Sequence, residues 1–384
     1  MRISYKKINV FIFCVAFFLQ SFIDGFYIAH DMNPAFLKVL KYGFFILGII
    51  WGVISIQKNR LCYWKETEKI IVSIYVVFLI SLFLIAINNG NLGITLEITF
   101  RFSIAIIYAF VLLNIFDLDD IYKLMVYVLL VSIMGWILEK GVDIFNIANF
   151  GAIAFADSSS PFESSYFAAP SINCCAFFMY YRKNKIISSI AFLFALLTFK
   201  RPAIVFSIIF LVVPFFINVD KKISKKMIFI GETLCVICTV LWYNLLLKNN
   251  NDLFMRIIGD TSEHFTQGRS KFMNMVLETG YHAAGLGSTN NIVGHGIEMD
   301  LIQLFLETTI IGLSIIVFAY ISAAGRNMYA LMLMVFHMFT CLTGSGLYNS
   351  FGWVPVFVTF GCINYKKSVK LQMRFPLLRR RKND

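Results

Sequence analysis

The sequence predicts an all-α polytopic integral membrane protein with about twelve transmembrane helices and one large extracytoplasmic loop. Three observations lead there. Hydrophobic residues make up 59% of the 384, and the mean hydropathy is +0.74. Charged residues make up 15%, against roughly 25% in soluble domains. The basic residues also divide so unequally between two faces that they set an orientation. A soluble fold cannot hide this much apolar surface, so lipid is the solvent for most of it.

A span needs about 20 predominantly apolar residues. The segments that qualify are 8–29, 35–56, 69–87, 93–115, 121–138, 164–181, 186–199, 202–218, 227–247, 298–321, 328–343 and 351–364. The seventh, eighth, eleventh and twelfth are short, and read as tilted, broken or partly re-entrant. The first follows Lys6-Lys7 with no small-residue cleavage site, so it reads as an uncleaved span.

With the N-terminus inside, the inner segments are 1–7, 57–69, 116–123, 182–185, 219–226, 322–327 and 365–384. They hold 24 of the 34 Lys and Arg residues. That bias matches the positive-inside rule, so both termini are expected on the cytoplasmic side. The net charge of +12 therefore records topology rather than a nucleic-acid partner. The basic tail 365–384, ending in Arg379-Arg380-Arg381-Lys382, reads as a retention signal and anionic-lipid anchor.

The whole chain, 1–384, reads as a single membrane domain. Its outer face carries 139–163 and the long segment 248–297, and a loop of that length is usually functional. Within it, Arg269 to Thr279 spaces Phe272, Met273, Val276 and Leu277 among polar residues. The pattern predicts a short amphipathic helix lying on the membrane surface. The eight cysteines avoid the outer loop and argue against a disulfide framework. Cys235 and Cys238 lie in a predicted lipid-embedded helix without further ligands, and read as packing residues. Asp117, Asp119 and Asp120 start a helix on the inner face, and read as an N-cap cluster rather than a metal site.

Ten basic residues break the orientation rule: Lys38, Lys41, Arg101, Lys140, Lys200, Arg201, Lys248, Arg256, Arg269 and Lys271. Arg101 lies inside the fourth span, one turn after Glu97 on the same face. Burying it costs at least about 2.5–3.5 kcal/mol, so it needs a partner. It reads either as a self-satisfied pair or as a cation lining an anion pocket. Lys200 and Arg201 sit at a tight junction between two spans, with Pro202 suited to the first turn of the new helix. They read as interfacial snorkelling or as an anion site. Arg201, Arg269, Arg256 and Arg101 could together form an outer cationic pocket, since a planar guanidinium binds two phosphate oxygens at once.

These stretches resemble the O-antigen and capsular polysaccharide polymerase family (Wzy type), within the superfamily that includes the O-antigen ligases. Four of them carry the likeness. Leu196-Leu197-Thr198-Phe199-Lys200-Arg201-Pro202-Ala203 resembles the family's apolar-then-Ser-Arg junction, with Lys200 in place of serine. Gly268-Arg269-Ser270 through Gly285-Leu286-Gly287 resembles its arginine, amphipathic helix and Gly-x-Gly turn. Gly294-His295-Gly296, Leu301 to Glu307 and Ile310-Ile311-Gly312 resemble its His-Asn, apolar helix and Gly-Ile-Ile-Gly segment. Here Gly296 replaces asparagine, and Thr308-Thr309 stand where glycine is common. Pro161-Phe162-Glu163 to Pro170 resembles its loop glutamate.

The resemblance implies a multi-pass protein of the bacterial inner membrane that polymerises polyprenyl-diphosphate-linked oligosaccharide repeat units outside the cytoplasm. It implies no cofactor and no metal. Its partners would be the lipid-linked oligosaccharide, the bilayer and a chain-length regulator protein. Arginines would stabilise charge growing on the departing diphosphate, with Arg201, Arg269, Arg101, Arg256 and Lys200 as the binding candidates. The acceptor hydroxyl needs a base near neutral pH, with His295 first and Glu163 second. His264 and His282 share the loop but match no motif as clearly, and His337 reads as a packed residue inside a span. Two rival functions remain: an O-antigen ligase, and a lipid-linked oligosaccharide flippase or transporter.

Overall fold

The computed structural model describes residues 5–56, 61–88, 90–141, 146 and 162–365. Among them the chain is all-helical, with one isolated bridge between Lys222 and Asn327. The helices are α1 (Tyr5–Phe22), α2 (Ala35–Ser55), α3 (Trp64–Asn88), α4 (Leu92–Ile115), α5 (Leu118–Lys140), α6 (Ala168–Tyr181), α7 (Lys185–Leu197), α8 (Arg201–Phe216) and α9 (Lys225–Leu245). The loop that follows includes α10 (Asn251–Ile258) and α11 (Arg269–Glu278), besides two single-turn helices, Ser262–Phe265 and Asn290–Val293. The chain then forms α12 (Asp300–Ala323), α13 (Met328–Thr343) and α14 (Ser350–Tyr365).

Among the described residues seven helical segments are long and apolar enough to cross a membrane: α1 with its extension to His30, α2, α3, α4, α5, α9 and α12. The segments read as the sixth, seventh, eighth, eleventh and twelfth spans form helices of 14, 13, 16, 16 and 16 residues. The sixth starts four residues later than expected, because 162–167 is irregular.

Burial arranges the bundle. α4 lies at its centre, packed against α2, α3 and α14, and nearly every residue from Phe102 to Ile115 is buried. The outer helices show the reverse. Val72, Leu79 and Phe83 of α3 and Phe229, Leu234 and Leu241 of α9 are exposed, as a lipid-facing surface requires. α1 runs into a π-helical turn, Ile23–Tyr27, where Gly25 meets Gly135 of α5. A Cβ on Gly25 would lie 2.1 Å from the Gly135 carbonyl oxygen, so only glycine permits this approach.

The helix ends meet at two faces. On the lower face Lys6 pairs with Asp120 at 2.9 Å and Asp117 at 3.5 Å. Lys183 pairs with Asp119, and the Tyr365 hydroxyl donates to Glu66 at 2.6 Å. Asp117 caps α5 by accepting from the Asp120 amide, so the aspartate cluster does cap a helix. On the upper face Asn88 Nδ2 donates to the Ala283 carbonyl at 2.7 Å, and Ser350 Oγ to the Arg101 carbonyl at 2.8 Å. His337 is buried and meets Asn173 Oδ1 at 2.7 Å, as its reading as a packed residue expects. The basic tail beyond Tyr365 and most of 142–161 lie outside the described residues.

The segment between α9 and α12 stands on the upper face and carries its own apolar cluster: Leu246, Phe254, Met273, Val276, Ile297, Met299, Ile302 and Leu306. This corrects one expectation. α11 forms where the amphipathic pattern places it, but Met273 and Val276 face this cluster instead of a membrane surface. A period of 3.6 residues specifies an apolar stripe and is silent on what covers it.

Candidate functional site

Three groups of polar residues occupy the upper end of the bundle. The first joins α11 to the turn before α12. Arg269 opens α11, and its Nη1 donates to the Thr266 carbonyl at 3.2 Å. Its Nε is buried without a hydrogen-bond acceptor, the nearest carboxylate being Glu298 Oε2 at 3.4 Å. One turn along the same face, Phe272 packs edge to face against His295, with ring centroids 4.6 Å apart at 90°. His295 is exposed, and its Nδ1 lies 2.6 Å from the Gly296 carbonyl oxygen. A carbonyl only accepts, so Nδ1 carries the hydrogen and Nε2 is the ring nitrogen left for a ligand.

The second group is a strap, residues 162–167, crossing from α5 to the α7–α8 junction. Trp136 donates to the Phe162 carbonyl at 3.3 Å, and the Ser164 amide donates to the Thr198 carbonyl at 3.0 Å. Ser164 Oγ donates to Glu139 Oε2 at 2.5 Å. The strap brings Glu163 against Lys200, whose Nζ lies 2.6 Å from Glu163 Oε1. Both side chains are largely shielded, at 15% and 26% exposed. Arg201 follows Lys200 and is exposed at the start of α8, with Pro202 in the first turn as expected.

The third group lies between α1, α2 and α4. Lys41 is buried, donates to Gln20 Oε1 at 2.6 Å, and stands 5.4 Å from the ring centroids of Tyr42 and Phe351. Gln20 in turn donates to Asp24. Arg101 pairs with Glu97, one of its two anticipated readings.

Tyr166, on the strap, connects the groups. Burial raises its phenol, and the carboxylates of Glu139, Asp24, Asp31 and Glu298 raise it further. Those four side chains come from α5, the end of the α1 extension and the turn before α12, so carboxylates of all three segments lie within electrostatic reach of the strap. Arg256 is the exception, exposed in the last turn of α10. His264 pairs with Asp260 at 2.5 Å on an exposed part of the loop, and His282 is exposed nearby.

Among the described residues at least six of the ten exceptional cations face a carboxylate within 4 Å: Arg101, Lys140, Lys200, Lys248, Arg269 and Lys271. The sequence reading pairs Arg101 with Glu97 and leaves the others bare. Spacing along one helix reveals the first pair, whereas the other five join residues that lie outside helical register. Glu298, Tyr166 and the contact of Phe272 with His295 escape the reading for the same reason. A region of paired charges with hydroxyl and aromatic groups can bind a phosphorylated polar ligand, present a carboxylate or imidazole as proton acceptor, and remain near neutral when empty.

The chain matches no protein-family model, no curated protein and no solved structure.

Proposed function

We propose that this chain is a membrane-embedded polysaccharide polymerase of the O-antigen polymerase type. It uses polyprenyl-diphosphate-linked repeat units as donor and acceptor. All twelve apolar helices cross the bilayer in this reading, the lower face is cytoplasmic with both termini, and the segment 248–297 is extracytoplasmic. The charge bias of the sequence supports this orientation.

The observation that carries the proposal is Arg269. Its buried Nε has no hydrogen-bond acceptor, with Glu298 Oε2 at 3.4 Å, and it stands one turn from Phe272, which packs on His295. A diphosphate oxygen is a suitable acceptor for that donor, and the adjacent guanidinium N–H groups can take a second oxygen. Arg201 and Lys200 supply further charge from the strap side. The acceptor hydroxyl attacks the anomeric carbon of the donor, forming the new glycosidic bond. The bond from that carbon to the diphosphate oxygen breaks, and polyprenyl diphosphate leaves with the electron pair. The hydroxyl proton passes to His295 Nε2, or to Glu163 as the second candidate. Arginines stabilise the leaving group electrostatically, and holding two lipid-tethered substrates in one region supplies orientation.

The test is polymerisation of one lipid-linked repeat unit by the purified full-length protein. A ladder of products supports polymerase; a single transfer to a different acceptor supports the ligase reading. Transport without bond formation supports the flippase. Arg201→Ala and Arg269→Ala should each abolish the ladder while leaving insertion intact. Full-length polymer from both variants overturns the assignment.

A further inference from the structure

The upper half of α12 carries Asp300, Gln303 and Glu307 on one face, all buried, with Glu307 fully so. Buried polar side chains on an apolar helix need partners, and each of these holds a loop. Asp300 Oδ2 accepts from the amides of Gly346 and Leu347, both at 2.6 Å. Gln303 Oε1 accepts from the Ile297 amide at 3.1 Å, and its Nε2 donates to Asn290 Oδ1 at 3.2 Å and to Glu307 Oε1 at 2.9 Å. Glu307 accepts from the Gly287 amide at 2.7 Å, the Thr289 amide at 3.3 Å and the Thr289 hydroxyl at 2.6 Å.

Every partner of the Glu307 carboxylate is a donor. Three donors fall on Oε1 and one on Oε2, so the arrangement fits an anchor for the loop. The anchored turn is also held from α3 and α4. Ser81 Oγ accepts from the Leu286 amide at 3.3 Å, and Thr95 Oγ1 donates to the Leu286 carbonyl at 2.8 Å. Gly287 has φ of 77°, and a Cβ there would lie 2.2 Å from Ile94, so the turn enters the bundle only as glycine. The same stretch of chain continues to His295 and Glu298, the two residues that meet α11.

We infer that Glu307, acting with Gln303 and Thr289, is a positioning residue. It fixes the segment 287–298 so that His295 and Glu298 stand in register with Phe272 and Arg269. The role in catalysis rests on the polymerase reading, whereas the anchoring does not. Glu307→Gln preserves shape but turns an amide N–H₂ toward one of the surrounding donors, which removes at least one hydrogen bond. Thr289→Val removes the hydroxyl donor and keeps the backbone amide.

The experiment uses the full-length protein in nanodiscs, with three readouts: amide hydrogen exchange across 285–298, thermal midpoint, and kcat and KM for a lipid-linked repeat unit. Glu307→Gln and Thr289→Val should each accelerate exchange in 287–298 by about tenfold or more. Exchange in α4 and α5 should stay unchanged. The kcat per folded molecule should fall about tenfold with KM nearly constant, and the double variant should lose little more than either single one. Unchanged exchange in 287–298 for both variants overturns the inference whatever the activity. Faster exchange together with a wild-type protein that makes no polymer sustains the anchor and removes the polymerase reading instead. If Glu307→Gln fails to fold, Thr289→Val alone decides.

Discussion

Phe272 holds His295 edge to face at 4.6 Å, and so fixes the ring of the proposed base from a helix whose first residue is Arg269. The binding group and the residue that orients the base are thereby carried one turn apart on one rigid element. Phe272→Ala should lower kcat about tenfold with little change in KM, because a misplaced base costs rate more than affinity. His295→Ala should cost more, about 10²–10⁴-fold. Steady-state kinetics on the purified protein checks both, and wild-type chain formation by His295→Ala removes it as base.

Glu163 and Lys200 make the most shielded pair between the strap and the α7–α8 junction. Glu163→Gln and Lys200→Met should each lower the thermal midpoint, since removing one partner strands the other. Exchanging the two residues should recover stability while activity stays lost, because the carboxylate then sits on the wrong side of the site. Recovery of activity in the exchanged variant would leave the pair a purely structural role.

Thr309 has φ of 64° and ψ of −177° inside α12, a region that glycine alone occupies readily. Thr309→Gly should therefore stabilise the protein by about 1–3 kcal/mol, read as a higher thermal midpoint. A lower midpoint would show that the Thr309 Oγ1 contact with the Ile311 amide, at 3.3 Å, outweighs the backbone strain.

The Gly25–Gly135 approach is a second stability test. Gly25→Ala places a Cβ 2.1 Å from a backbone oxygen, so α1 and α5 must separate. A loss of about 1–3 kcal/mol is expected. Gly231→Ala is the control, since a Cβ there meets nothing within 4 Å.

Topology can be tested chemically in a variant lacking the eight native cysteines. Lys271→Cys should react with a membrane-impermeant thiol reagent in intact cells, and Asn184→Cys only after permeabilisation. The opposite pattern would place the loop in the cytosol and remove the proposed function with it.

Helix positions were legible in the sequence, because lipid demands long apolar runs and every helix pays for its backbone hydrogen bonds internally. The ranges read for α2, α4 and α9 differ from the structure by two residues or fewer at each end. The starts of α5 and α8 were legible too, from the Asp117 cap and from Pro202 in the first turn. The Glu97–Arg101 pair was visible for a similar reason, since helical spacing is a local property.

The rest required the folded chain. Glu163 meets Lys200 across 37 residues, Arg269 meets Glu298 across 29, and Glu307 closes on Gly287 across 20. Such partners are chosen by how helices pack and where loops return, and no periodicity in the chain encodes that choice. The sequence alone determined an apolar all-helical protein with its cations unevenly divided. The tertiary structure alone decided that most of the misplaced cations face carboxylates, and that α11 packs on its own loop. A pattern along the chain specifies which residues must be covered or neutralised, whereas packing selects the atoms that do so.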